Sequence, residues 1–577
     1  MFVRVKNKST KDKYRKSVQI VHNFREEGKV RQKILKHIGV AYSEKHLKEL
    51  MLLGESIKED LEIGNQTTIF KTEEILKDID KTTTSLKREG DKYSDEDYQV
   101  DIRSLEEEAR VTTGIHDIYG KLFDELKLKS IFSNPARNAA DVERFKNIVM
   151  ARIANPASKR ESVDRLEKDF GVGIDLDKIY RMMDKLDAKA IEKLNKLSYD
   201  KTKCLFPEKI DVIYFDATTI YFESFTEDIG EDGIRKNGYS KDLKFNQPQV
   251  LLALMVTKEG LPIGYEAFSG DTYEGHTLIP SLKKLQERYN IDKAVYVADS
   301  GMFNEKNLKE LEKLEEHGFN YIVGARIKNM SKKVKEDILD KNGYTELNEE
   351  ISVKEIELEN GRKLILTYST KRAKKDKLDR LKGIEKIRKK LSKNKSLKSQ
   401  LSNQGYQKYL KIEDSEGKEA SKEIQIKLDE EKIKADAVWD GLKGVIVNKE
   451  CDLSNEEILH QYKQLWQVEE SFRITKHDLK IRPVYHWKPS RVRAHIAIAF
   501  AAFMLVRHLE YRVKLQYKKL SPEYIKKLLT DVQISIVYSK EKKIKYAIPS
   551  TMNQETMKIY RLMGVSRKTT PYIIKKY

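Results

Sequence analysis

The stretch DVIYFDATTIYFES, Asp211 to Ser224, decides the fold. Val212 to Phe215 is an unbroken run of the β-branched and aromatic types that favour strands. A charge, Asp216, follows it directly. PQVLLALMV (Pro248–Val256) and LPIGYEAFSG (Leu261–Gly270) are two further strands, joined by the turn TKEG. After them TLIPSLKKLQERY is helical, AVYVADS (Ala294–Ser300) a strand, NEKNLKELEKLEE a helix and NYIVGAR a strand. Three strands followed by alternating helix and strand predict a mixed α/β sheet.

Asp299 follows the run Val295 to Ala298 as Asp216 follows its own, so both aspartates are expected at strand ends. Ionised carboxylates beside a core are costly unless paired or metal-bound. Two in one sheet repel each other, and a divalent cation resolves the repulsion. Hard oxygen ligands suit Mg²⁺ or Mn²⁺. The alternative is that each aspartate caps a turn or helix.

A third carboxylate comes from YKQLWQVEESFRITK, Tyr462 to Lys476. Ser454 and Glu457 have capping-box spacing, so one helix is expected from about Asn455 until Pro483 stops it. At about 100° per residue, counted from Tyr462, the residues Leu465, Val468, Phe472 and Leu479 form an apolar stripe near 270°. Glu469 falls at about 340°, at the stripe's edge, and Glu470 at about 80°, toward solvent. Glu469 is the candidate to reach the sheet; its plainer reading is an i, i+4 ion pair with Arg473. Tyr462, Glu469 and Lys476 recur every seven residues, a row able to serve one extended ligand.

The chain has 577 residues, a net charge of +20 and 35% charged residues, which predicts several domains and a polyanionic partner. Two cysteines exclude a disulfide framework and suit a reducing cytosol. The apolar run Ala494–Val506 is too short for a bilayer of about 30 Å and is expected to be a buried core helix. The remaining divisions are a small basic β unit at 1–45, a polar connecting segment at 46–110 and a helical region at 111–205. That region has Asp141 as one N-cap, and its 156–186 part reads as a helix-turn-helix or as plain helical packing. The sheet falls in 206–328 and 441–515, interrupted by 329–440 and followed by a C-terminal region at 516–577. Lys371–Lys398 carries 14 Lys/Arg against 3 Asp/Glu and reads as a basic helical hairpin. IRPVYHWKPSRVR sets Arg482, Lys488, Arg491 and Arg493 among Tyr485, His486 and Trp487, a mixture suited to distorted DNA or to an ordinary loop.

Taken in order, these stretches resemble a family. YKQLWQVEESFRITK is similar to the Y-R-E-K signature of bacterial insertion-sequence DDE transposases: Tyr, two residues, Arg, three residues, Glu, six residues, Lys. Tyr462, Glu469 and Lys476 match it, and Leu465 stands at the Arg position. YFDATTIYFES and YVADSGMFNEKNL resemble the first and second aspartate motifs. The 170 residues from Asp299 to Glu469 fit the insertion that this branch carries. The resemblance covers about 210–510.

It implies a multidomain α+β and α/β chain. An RNase H-like mixed sheet flanked by helices would be interrupted by an insertion domain and preceded by the β unit and a helical DNA-binding region. It implies catalytic and metal-holding roles for Asp216, Asp299 and Glu469 with two Mg²⁺ ions (or Mn²⁺), one activating water or a DNA 3′-hydroxyl, the other stabilising the leaving oxygen. It implies DNA contacts by Tyr462 and Lys476. Helix geometry adds Arg473, in place of the missing signature Arg. Arg482, His486, Trp487, Lys488, Arg491 and Arg493 are the other expected DNA contacts. Terminal inverted repeats and target DNA are the expected partners of a bacterial, cytoplasmic, nucleoid-associated homodimer with no membrane segment. A metal-dependent nuclease on the same fold and an inactive DNA-binding derivative are the competing readings.

Overall fold

The computed structural model describes residues 1–7, 16–26, 29–41, 93–206, 212–230, 232–239, 246–289, 295–300, 305–315, 320–359, 361–391, 408–414 and 424–576, with scattered positions between 44 and 58. The chain divides into two compact units, Met1–Ile291 with Trp466–Tyr577, and Asp292–Leu465.

In the first unit, β1 (Phe2–Asn7), β2 (Lys16–Glu26) and β3 (Lys29–Ala41) make an antiparallel sheet. The hairpin turn expected between β2 and β3 includes positions 27 and 28, outside the described residues. Val18, Ile20 and Ile38 share a core with Leu205, Leu261 and Leu515, so this sheet is fastened to the rest of its unit by apolar burial. β4 (Leu105–Thr112) lies where a polar connector is expected, and it pairs with the C-terminal strand Gln533–Ser539. Its charged Glu106, Glu107 and Glu108 are solvent-facing, which is why its sequence does not read as a strand.

Five helices follow: α1 (Gly114–Glu125), α2 (Ala139–Ala154), α3 (Lys159–Phe170), α4 (Leu176–Asp184) and α5 (Ala188–Lys203). Asn138, not Asp141, occupies the N-cap position of α2. Asp141 sits in the first turn and is held by Arg144 at 2.6 Å and Lys185 at 2.5 Å. Ser158 caps α3, accepting the Glu161 N–H, and Gly171 ends it at φ +67°, a left-handed conformation that glycine adopts without strain. α3 and α4 both pack on α2.

Next, β5 (Val212–Tyr221), β6 (Gln249–Val256) and β7 (Pro262–Ser269) form an antiparallel meander, with Asp216 opposite Leu254. α5 covers β7, its Ser198 and Thr202 hydroxyls donating to the Pro262 carbonyl at 2.9 and 2.8 Å. α6 (Leu278–Tyr289) closes this segment.

The second unit opens on β8 (Val295–Ala298), α7 (Glu305–Glu315) and β9 (Asn320–Gly324), a parallel β–α–β crossover. Then come α8 (Lys332–Leu339), β10 (Thr345–Asn348), β11 (Ile351–Glu357), β12 (Lys363–Ser369), α9 (Thr370–Leu391), β13 (Leu410–Asp414), β14 (Ile424–Leu428), α10 (Glu430–Ala437) and β15 (Leu442–Val447). β12 pairs with β15, and β15 with β9, so the sheet runs β10–β11–β12–β15–β9–β8. Three strands of the segment 329–440 extend this sheet. Leu364, Ile365 and Leu366 of β12 are all 0% exposed, the burial on both faces that marks an interior strand. α9 is a single basic helix through Leu391; the return arm of the expected hairpin, 392–398, lies outside the described residues. α11 (Asn455–Lys463) begins at the Ser454/Glu457 capping box and packs on β8 and β9.

Returning to the first unit, α12 (Trp466–Arg473) leads into a π-helical turn, Ile474–Asp478, then α13 (Pro489–Gln516), α14 (Pro522–Thr530), β16 (Gln533–Ser539), β17 (Ile544–Pro549), α15 (Gln554–Met563) and β18 (Tyr572–Lys576). These strands add to β4 in the order β18–β17–β16–β4. α13 is longer than its apolar run and meets the length and hydropathy of a membrane crossing, yet 94% of that window is buried. It packs against α1, α2, α4, α5 and β7, a core helix as the sequence suggests. Its Arg507 donates to the carbonyls of Glu259 and Gly260 at 2.9 and 2.7 Å, holding the β6–β7 turn where Gly260 has φ +76°.

If β12 is core, Leu366→Ala costs about 2–5 kcal/mol. Leu378→Ala on α9, where Leu378 is exposed, changes stability by less than about 0.5 kcal/mol. Denaturant unfolding of both variants measures the contrast; equal costs would contradict this sheet order.

Candidate metal and nucleic-acid site

Asp216 lies in the middle of β5, not at a strand end. Val212–Phe215 before it and Ala217–Ile220 after it are buried, while Asp216 is half-buried. One carboxylate oxygen accepts the Ala217 N–H at 2.8 Å. The strand runs on past the charge because Thr218, Thr219 and Ile220 are as β-favouring as the run before it.

Glu469 sits on α12, which packs against β5 and β6 within the same unit. Val468, Ser471 and Phe472 are its buried residues. Glu469 is exposed and, among the described residues, has no hydrogen-bond or ion-pair partner. The expected Glu469–Arg473 pair is absent. Arg473 instead grips Glu470 with two hydrogen bonds of 2.8 Å and reaches Asp478 at 3.3 Å. Glu470 is thus half-buried rather than solvated, and Arg473 beside it draws its carboxyl below the usual range.

The helix expected to run unbroken from 455 to 482 is interrupted twice. α11 ends at Lys463, with Leu465 N–H bonding back to the Tyr462 carbonyl at 3.2 Å, and α12 starts at Trp466. Leu465, in the connecting turn, is 8% exposed: it packs where the signature would set an Arg. The second interruption is the π turn, closed by Leu479 N–H to the Ile474 carbonyl at 2.9 Å. Its extra residue shifts the register, so the seven-residue row of Tyr462, Glu469 and Lys476 is not one face of a continuous helix. Lys476 lies in the π turn with its ammonium 5.6 Å from the Phe472 ring centre.

In the second unit, Asp299 directly follows β8 and is exposed, as expected. The Tyr462 hydroxyl lies over Gly324, the last residue of β9, in the space a Cβ would take, where the Ser300 N–H is also close. Tyr462 is therefore placed beside the residue that follows Asp299. Residues 301–304 of the second aspartate motif lie outside the described residues.

Of the expected DNA contacts, Trp487 and Lys488 are exposed. Arg482 stacks 5.2 Å from the Tyr221 ring centre, and Arg493 donates to the Asp232 carbonyl at 3.2 Å. Arg491 is taken by Asp184 through two 2.8 Å hydrogen bonds. His486 is wedged edge-on against Tyr180 and beside His495, and burial pushes its ring down to about 3.

Among the described residues no three His, Cys, Asp or Glu side chains are gathered into a metal-holding group. The donor chemistry nonetheless fits a hard divalent cation. Asp299 and Glu469 are exposed carboxylates without a cationic partner among the described residues, and Asp216 interrupts an otherwise buried strand.

A family model for the transposase DDE domain matches residues 207–505. The chain belongs to the DDE transposase family. A second model, the N-terminal domain of IS1634 family transposases, matches residues 3–67, which identifies an insertion-sequence transposase and accounts for the N-terminal sheet. Divalent metal ions and DNA are general to this family. No curated protein matches the sequence. A cryo-EM structure of the piggyBac transposase synaptic complex with hairpin DNA aligns over 72% of this chain and 76% of its own, at 11% identity and a TM-score of 0.37.

Two outcomes follow from this site in the transposase. Gly324→Ala collides with the Tyr462 hydroxyl and lowers stability by about 1–3 kcal/mol, and adding Tyr462→Phe restores most of it; thermal unfolding of the three variants checks this. His486 gains a proton near pH 6.5 when unfolded but only near 3 when folded. Between those values the unfolded chain binds more protons, so this residue makes stability fall as pH drops below about 6.5. The midpoint of His486→Gln therefore declines less steeply than that of the wild type between pH 7 and pH 5.

Proposed function

We propose that this transposase cuts and joins DNA at the ends of its insertion sequence, with Asp216, Asp299 and Glu469 as the carboxylates that hold its catalytic metal ions. The observation that carries the reading is Glu469. It stands on a helix packed against the Asp216 strand, and the one cation on its own helix, Arg473, is committed to Glu470 and Asp478. A carboxylate kept without a partner is a poor contribution to stability and a good metal ligand.

Two Mg²⁺ ions, with Mn²⁺ as a substitute, would supply charge stabilisation at the attacked phosphate and at the attacking and leaving oxygens. The chain's own residues do the rest. Asp216 is fixed by the β5 ladder and by the Ala217 N–H, so its oxygens arrive with little conformational freedom to lose. Arg473 holds Glu470 and the π turn, leaving Glu469 unneutralised; it is a positioning residue rather than a DNA contact. Arg491 does the same for the end of α4 through Asp184. Tyr462, Lys476, Arg482, Trp487, Lys488 and Arg493 contact phosphates or unpaired bases near the cleaved end, and the α3–α4 pair belongs to the DNA-binding surface. Hydrolysis frees the transposon end and strand transfer joins it to target DNA. The protein works as a dimer bridging two terminal inverted repeats, in the cytoplasm at the nucleoid.

The test is an assay on duplexes carrying the matched terminal inverted repeats. Wild type nicks and joins them only with Mg²⁺ or Mn²⁺. Glu469→Gln abolishes both steps, by at least about 10³-fold, while Glu470→Gln keeps them and loses about 1 kcal/mol of stability. Nicking by Glu469→Gln at the wild-type rate refutes the assignment; nicking without joining by the wild type reduces the enzyme to a nuclease.

A further inference from the structure

Behind the loop that follows the π turn lies a cavity of about 220 Å³ within the first unit. Arg152, Lys159, Arg160, Lys480, Arg482 and His486 line it, and among the described residues no Asp or Glu does. Two of these cations are nearly sealed from water: Arg152 and Lys159 are each 3% exposed. Such burial is expensive for a charge without a counter-charge.

Among the described residues, Arg152 and Lys159 find few acceptors. Arg152, from α2, donates through Nη1 to the carbonyls of Leu479 and Lys480 at 3.4 and 3.2 Å. Those bonds fix the exit of the π turn but bring no negative charge. Lys159 has three N–H donors and among the described residues a single acceptor, the Nδ1 of His495 at 3.4 Å. His495 in turn donates from Nε2 to the Ile481 carbonyl at 3.0 Å. Burial first, and then neighbouring cations, hold Lys159, His486 and His495 below their ordinary ranges: Arg152 acts on Lys159, Arg152 and Lys159 on both rings, and Arg491 on His486. The first turn of the 12-residue α3 opens beside the same cavity, with Ser158 and Arg160 on its wall, and adds the positive end of a helix dipole.

We propose that this cavity is a phosphate-binding pocket that seats one DNA backbone phosphodiester, with Lys159 and Arg152 at its floor and Arg160, Lys480 and Arg482 at its rim. This rests on the reading of the chain as a DNA-cutting transposase and adds to it a grip on the phosphate backbone outside the carboxylates. A phosphodiester supplies what the pocket lacks: negative charge, and acceptors for the vacant Lys159 N–H groups. The neutral His486 ring serves as a wall and a hydrogen-bonding partner, not as a cation. Because α2 and α3 supply the floor and Arg160, while the segment after the π turn supplies Lys480 and Arg482, a seated phosphate also clamps the helical region to the exit of the catalytic helix. The contact carries no sequence information.

Full-length protein and a labelled DNA duplex test the pocket by fluorescence anisotropy across a salt series. Lys159→Met removes the buried charge without removing its bulk. It is expected to melt no lower than wild type, to bind the duplex about 10-fold more weakly at moderate salt, and to reduce the slope of log K against log salt by about one. Arg160→Ala, at an exposed position, cannot unfold the chain and gives a loss in slope of the same size. Wild-type affinity and slope in both variants overturn the pocket while leaving the transposase reading intact. A wild-type protein that binds no duplex overturns the reading on which the pocket rests.

Discussion

Asp216 is the single acidic side chain in a strand otherwise buried from Val212 to Ile220, and the rest of the first unit is arranged around that burden. Burying such a carboxylate is costly. α12 packs against the same strand, and that helix's one arginine is occupied by neighbouring carboxylates. Arg473 pairs with both Glu470 and Asp478, and Glu469 beside them has no ion-pair partner among the described residues.

The π turn after α12 extends this arrangement. It shifts the register between Glu469 and the basic segment that follows, and Arg152 reaches from the helical region to hold its exit by two carbonyls. Contacts to the N-terminal helices thereby bear on the segment next to Glu469. The long buried α13 supplies the foundation, since it touches most helices of the unit and the β7 strand. Within the second unit, β8 and β9 carry Asp299 and the glycine that receives Tyr462.

Much of this was legible in the sequence. The strands flanking Asp216 and Asp299 announce themselves because they are continuous apolar runs, and the capping box at Ser454 marks the start of α11. The single unbroken helix expected from 455 is not what forms: the break at 464–465 and the π turn leave no periodic trace, because apolar residues continue through both. The Arg473 pairing was misassigned for a related reason. Spacings of three and four are both available to an arginine, and the nearby Asp478 favours the side on which Glu470 lies. The pairing of β12 with β15 is not legible in the sequence, because a long separation along the chain hides it. The burial of Lys159 is invisible in the sequence, since nothing local distinguishes a buried lysine from the many exposed ones in so basic a chain.

The central claim is that Asp216, Asp299 and Glu469, far apart in sequence, hold metal together. Iron(II)-directed hydroxyl-radical cleavage of the DNA-bound protein measures this most directly, because an Fe²⁺ ion in the Mg²⁺ position cuts the backbone beside its ligands. The account predicts cuts near residues 216, 299 and 469, all suppressed by excess Mg²⁺ and all lost in Glu469→Gln. Cuts confined to one of these segments, or falling elsewhere and indifferent to Mg²⁺, would contradict it.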